Sequence, residues 1–282
     1  MSDVSARSEL HETWEAAAPG WAKWEQAFSR GFSDATETLI DMADVGSGMR
    51  VLDLACGAGN QTLQLAKRVG PSGRVVASDI SGTMLAYVRQ SAKRAGLQNI
   101  ETIECAAEEL NETGQPFDGA ISRLGLMLFP APRDALESVQ RVLRVGARFS
   151  ALVFTTPSQN PFLSQSMGIL RRHAGKPTPP PGSPGLFALG PDGALETLLR
   201  TSGLLEVRTQ ILRVPLELPN VAATLEMMQE AFGAYRAVIA DLDEEKQRAA
   251  WVEVAEFLKQ FEVGGHFETD MEIVVGSGAK PS

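Results

Sequence analysis

The chain has 282 residues and a mass of 30.3 kDa, with 44% hydrophobic and 22% charged residues, a balance that argues against a disordered chain, a collagen or a coiled coil. Lys and Arg number 26 against 35 Asp and Glu, giving a net charge of −9 that opposes nucleic acid and anionic membranes as partners. No apolar run approaches the ~20 residues of a membrane-spanning helix, and the opening MSDVSARSELHE lacks the apolar stretch of a signal peptide, so no membrane insertion and a cytoplasmic location are expected. Cys56 and Cys105 have no ligand spacing, and His11, His173 and His266 are scattered, so neither a metal site nor a disulfide is expected.

In chain order, residues 1–44 carry Trp14, Trp21, Trp24, Phe28 and Phe32 and read as a helical lid, with Pro19-Gly20 expected to split it into two helices. Residues 45–155 alternate short apolar strands with helix-period segments. The strands are expected at 50–56, 74–79, 100–105, 117–122 and 148–154. Helix faces are read from Met84, Leu85, Val88 and Ala92, and from Ala135, Val139 and Val142. This alternation predicts a doubly wound parallel α/β sheet. Residues 156–203 form a Pro- and Gly-rich insertion with a helix. Residues 204–282 hold the final strands, at Leu204–Leu218 and at 271–276, with a helical insertion over 219–267. That insertion reads as a helical pair serving as packing or a homodimer surface. All of 1–282 is taken as one domain.

The chemistry concentrates in VLDLACGAGNQT (51–62), a strand, a glycine-rich turn and a helix start. Gly57 and Gly59 permit positive φ and close approach of a ligand, and the first amides of the following helix await an acceptor. Asp79, twenty residues past Gly59 at the end of the second strand, suits the two hydroxyls of a ribose. A nicotinamide fold would place a third glycine where Thr62 stands, and it rarely carries an acid where Asp53 stands.

The pattern resembles motif I of the class I S-adenosylmethionine-dependent methyltransferases, and more widely the small-molecule methyltransferases of ubiquinone/menaquinone-biosynthesis type. Cys105-Ala106-Ala107-Glu108 corresponds to that family's segment near the adenine. SRLGLMLFP (122–130) corresponds to its cofactor and substrate loop, and RVLRVGAR (141–148) to its turn before strand five. The resemblance implies a Rossmann-like, seven-stranded, mostly parallel sheet with the last strand antiparallel and helical cap insertions. It implies S-adenosylmethionine as cofactor, with Asp53 orienting its amino-acid part. Ala55, Gly57, Gly59, Asn60, Asp79, Ile80, Ala106, Ala107, Glu108 and Ser122 would surround the rest. Ala55 stands in place of the first motif glycine, and Ala106 in place of the acid that usually accepts from the adenine amine. The reaction expected is methyl transfer to O, N, S or C of a small, partly apolar molecule, walled by Trp14, Trp21, Trp24, Phe28, Leu124, Met127 and Phe129. His173 is the candidate base if a histidine serves as one. The alternatives are an NAD(P)-dependent oxidoreductase and a module that binds S-adenosylmethionine without turning it over.

Overall fold

The computed structural model describes residues 3–111, 114–180 and 182–282. Among the described residues eight strands form one sheet: β1 Arg50–Leu54, β2 Arg74–Asp79, β3 Ile100–Glu104, β4 Phe117–Arg123, β5 Leu143–Phe154, β6 Leu205–Leu218, β7 Glu262–Val263 and β8 His266–Ala279. Their order is β3-β2-β1-β4-β5-β8-β6, with β7 pairing β8. The first five run parallel, and β8 is antiparallel to both β5 and β6. β1 and β2 are almost wholly buried, as expected of short apolar strands covered by helices on both faces.

The helices are α1 Asp3–Lys23, α2 Glu25–Met42, α3 Asn60–Val69, α4 Gly82–Arg94, α5 Pro132–Val142, α6 Pro161–His173, α7 Ala194–Thr201, α8 Val221–Ala231, α9 Gly233–Ile239 and α10 Glu244–Leu258. α2 buries Phe28, Phe32, Leu39 and Ile40 in the main core. α4 starts on a capped turn in which the Ser81 hydroxyl accepts from the Met84 N–H at 3.0 Å.

Three expectations are corrected. Pro19-Gly20 does not end the first helix, because α1 runs through Pro19 to Lys23 and the break falls at Trp24. Gly20 serves a close helix contact instead: a Cβ there would stand 2.1 Å from the Glu230 carbonyl oxygen of α8. The helical pair is three helices, since Phe232 (φ −88, ψ 79) interrupts it. Gly233 then comes against α1, where a Cβ would lie 3.1 Å from Thr13 Cγ2. The eighth strand is β7, inside the segment read as helical. Gly264 (φ 58) and Gly265 (φ 85) make a two-residue hairpin that pairs it with β8.

Candidate active site

Between β1 and α3 the chain turns over Ala55–Gly59. Gly57 (φ 56) and Gly59 (φ 95) are left-handed, as the turn requires, and Ala55 is too, at φ 54. At Gly59 a Cβ would also lie 2.9 Å from Val88 Cγ2, so this glycine lets α4 approach the turn. After β4, Leu124 takes φ 61. A Cβ on the neighbouring Gly125 would be 2.7 Å from Ala55 Cβ, so the turns leaving β1 and β4 touch. Non-glycine residues in this conformation are costly, by about 1–2 kcal/mol, and two of them flank the same space.

Asp79 closes the end of β2. Its Oδ2 accepts from the Gly57 N–H at 2.8 Å and its Oδ1 from the Ser81 N–H at 3.0 Å. Burial pushes its pKa up to about 6, against the pull of those hydrogen bonds. Asp53 is fully buried beneath the turn, where Oδ2 accepts from the Thr62 hydroxyl at 2.6 Å and Oδ1 from the Gln61 amide at 3.3 Å. Burial raises it to about 7, opposed by those two bonds. Asp53 therefore fastens the first turn of α3 to β1.

These turns, the segment after β3 and the start of the chain enclose a cleft that is partly open to solvent. Of the residues read as cofactor contacts, Ala55, Gly57, Gly59, Asn60, Asp79, Ile80, Ala106, Ala107 and Glu108 line it. Asp53 and Ser122 do not; Ser122 is fully buried behind it, its hydroxyl without a partner among the described residues. Of the residues read as substrate walls, Trp14, Trp21, Phe28, Leu124 and Phe129 line the cleft. Trp24 turns away, its indole N–H donating to Glu230 at 2.6 Å, and Met127 is buried in the main core. His173 lies outside, at the end of α6, with Nε2 2.7 Å from Glu253 Oε2.

The roof is α1. Trp21 stacks on Phe28 with ring centroids 4.5 Å apart, and Trp14 and Trp21 pack with Ala18, Ala58 and Met84. Glu15 accepts from the Thr83 N–H at the start of α4, at 3.2 Å. Two charged lining residues escaped the sequence reading. Glu25 opens α2, and Arg123 ends β4 with its Nη1 donating to Asn60 Oδ1 at 2.9 Å and to Thr36 Oγ1 at 3.1 Å. Arg123 stands inside the SRLG run, but only the packed structure turns that side chain toward the cleft. Among the described residues no group of three or more His, Cys, Asp or Glu is placed to hold a metal ion, and no helix is long and apolar enough to cross a membrane.

Residues 46–168 match the family model described as a methyltransferase domain. Over 131 residues the chain is 37% identical to the ubiquinone/menaquinone biosynthesis C-methyltransferase UbiE of Hahella chejuensis, covering 46% of this chain and 52% of that one. It thus spans about half the length of the curated relatives it matches. Among solved structures, the [4+2]-cyclase SpnF is similar with a TM-score of 0.58 at 17% identity, covering 98% of this chain and 97% of that one. Phosphoethanolamine N-methyltransferase 2 of Haemonchus contortus, crystallised with S-adenosyl-L-methionine, has a TM-score of 0.59 at 16% identity, covering 98% and 60%. These likenesses show a shared fold, that of the class I methyltransferases, and a cyclase among them marks how little a fold alone says of the reaction.

Proposed function

From a core that matches a methyltransferase domain and a fold shared with the class I methyltransferases, we propose that this protein transfers the methyl group of S-adenosylmethionine to a small, partly apolar organic acceptor. The observation that carries the reading is Asp79 at the end of β2, buried and facing the same cleft as the Gly57–Asn60 turn. The residues fit such a ligand. α3 has Gly59 at its N-cap with no side-chain cap, and a Cβ on Gly57 would meet nothing within 4 Å, which leaves room for a ligand against the turn.

When bound, the sulfonium supplies a methyl group already activated for attack. The protein's part is then to orient and to exclude water. Asp79 would accept from the ribose hydroxyls. Ala107 N–H and the Ile80 side chain would hold the adenine, because Ala106 has no side-chain acceptor. Trp14, Trp21, Phe28, Leu124 and Phe129 wall the acceptor with apolar surface, as suits a compact organic molecule. The cytoplasm is the compartment we infer, supported by two free thiols, Cys56 and Cys105.

Asp79→Ala should weaken binding of S-adenosylhomocysteine at least tenfold, since hydrogen bonds to a charged acceptor are worth about 1.5–3 kcal/mol each. Titration calorimetry measures this, and equal affinities would overturn the assignment. Screening a metabolite library for S-adenosylhomocysteine formation then separates an enzyme from a binding module. Thermal stabilisation by a nicotinamide cofactor in its place would favour the oxidoreductase.

A further inference from the structure

Arg123 is a buried cation in a cleft proposed to receive another cation, the sulfonium. It ends β4 and lines the cleft. Its guanidinium donates to two neutral oxygens, of Asn60 and Thr36, and lies 5.6 Å from the Phe32 ring centroid. Among the described residues no carboxylate lies within ion-pair distance of it, although Asp53 and Glu25 are near enough to favour its charge, and a guanidinium presents five donors suited to bidentate recognition of a carboxylate. Burial lowers its pKa to about 10, so it keeps its charge at neutral pH. Two positive groups in one desolvated cleft repel unless an anion lies between them.

The position is specific. Asn60, which holds Arg123, directly follows Gly59 as the first residue of α3. Asp53, the acid that the resemblance assigns to the cofactor's amino-acid part, is spent on Thr62 and Gln61 and does not line the cleft. Glu25 faces the same cleft, half-buried, and makes no ion pair among the described residues. Opposite charges thus line one cleft, each favouring the other's charge but not in direct contact, an arrangement that complements a zwitterion.

We propose that Arg123 anchors a carboxylate beside the Gly57–Asn60 turn, with Glu25 placed for the ammonium group of the same ligand. This deepens the proposed function and rests on it. The arrangement favours the amino-acid tail of the cofactor as the source; a carboxylate on the acceptor is the other source of the same chemistry.

Titration with S-adenosylhomocysteine and with 5′-methylthioadenosine, which lacks the amino-acid tail, separates these. Arg123→Gln should weaken S-adenosylhomocysteine at least tenfold and leave 5′-methylthioadenosine within twofold, the latter also reporting an intact fold. Arg123→Lys, which keeps the charge but not the bidentate fork, should restore only part of the loss, and Glu25→Gln should weaken S-adenosylhomocysteine alone by about threefold or more. If Arg123→Gln spares both nucleosides but abolishes the binding of benzoate, relative to benzamide, that the wild-type complex with S-adenosylhomocysteine shows, the carboxylate belongs to the acceptor. If both nucleosides weaken together, Arg123 is only structural and the proposal is overturned, as it is if nothing changes. A wild-type protein that binds neither nucleoside overturns the proposed function itself, and this assignment with it.

Discussion

Asp53 and Asp79 stand at the ends of neighbouring strands, and burial holds both above the usual carboxylate range, to about 7 and about 6. Each binds its proton more tightly in the folded than in the unfolded chain. Between about pH 4 and those values the folded state therefore carries extra protons, and their contribution to stability falls as pH rises, by up to about 1.4 kcal/mol per pH unit for each group. Asp53→Asn removes one of these steps. Its melting temperature relative to the wild type should rise between pH 5 and pH 8, and an offset that does not change with pH would mean that Asp53 titrates normally. The glycine turn and Asp79 were legible from spacing alone, because a strand, two glycines and a later acid leave few geometries open. The burial of Asp53 under Thr62 and Gln61 was not, since an acid behind the turn and an acid in the cleft have the same local sequence. Arg123 was hidden for a related reason: which way a residue faces at the end of a parallel strand depends on the loop beyond it.

Among the elements, α1 departs furthest from its sequence signals. Proline inside a helix removes a hydrogen bond and crowds the preceding turn, yet α1 continues through Pro19 because tertiary contacts hold it. Gly20 sits against the backbone of α8, and Arg236 reaches the Ala16 carbonyl at 3.2 Å. Gly20→Ala should force α1 from α8 and lower stability by about 1–3 kcal/mol, read by urea denaturation. Lys23→Ala removes exposed contacts, the ion pairs to Glu226 at 2.7 Å and Glu230 at 2.8 Å and the approach to the Trp24 ring, and should cost less than Gly20→Ala. A larger loss from Lys23→Ala than from Gly20→Ala would contradict this ranking. The five parallel strands, in contrast, were readable as short apolar runs between turn signals. β7 is two residues long and has no pattern of its own; only the Gly264-Gly265 pair marked it.

For the whole molecule, the described residues divide between a sheet that holds the glycine turn and helices that roof it. Trp14, Trp21, Glu25 and Phe28 come from before the segment matched at 46–168, and α8 and α9, which seat α1, come from after it. Phe28 and Phe32 belong to the main core, so a cut after residue 30 would damage the fold; the informative deletion is 1–23, which removes α1 alone. That deletion should leave a cooperative thermal transition and S-adenosylhomocysteine binding measurable, while methyl transfer falls at least a hundredfold through loss of the water-excluding roof. Full turnover by the shortened protein would refute the roof's role. The bridge that α1 makes between α4 on one side and α8 and α9 on the other has an evolutionary consequence. Substitutions on its cleft face would reshape the chamber proposed for the acceptor without touching a strand, whereas those on its α8 face are constrained by a backbone contact at Gly20. Under the proposed reaction, acceptor choice is free to drift along one side of a single helix while the half proposed to hold the donor stays intact.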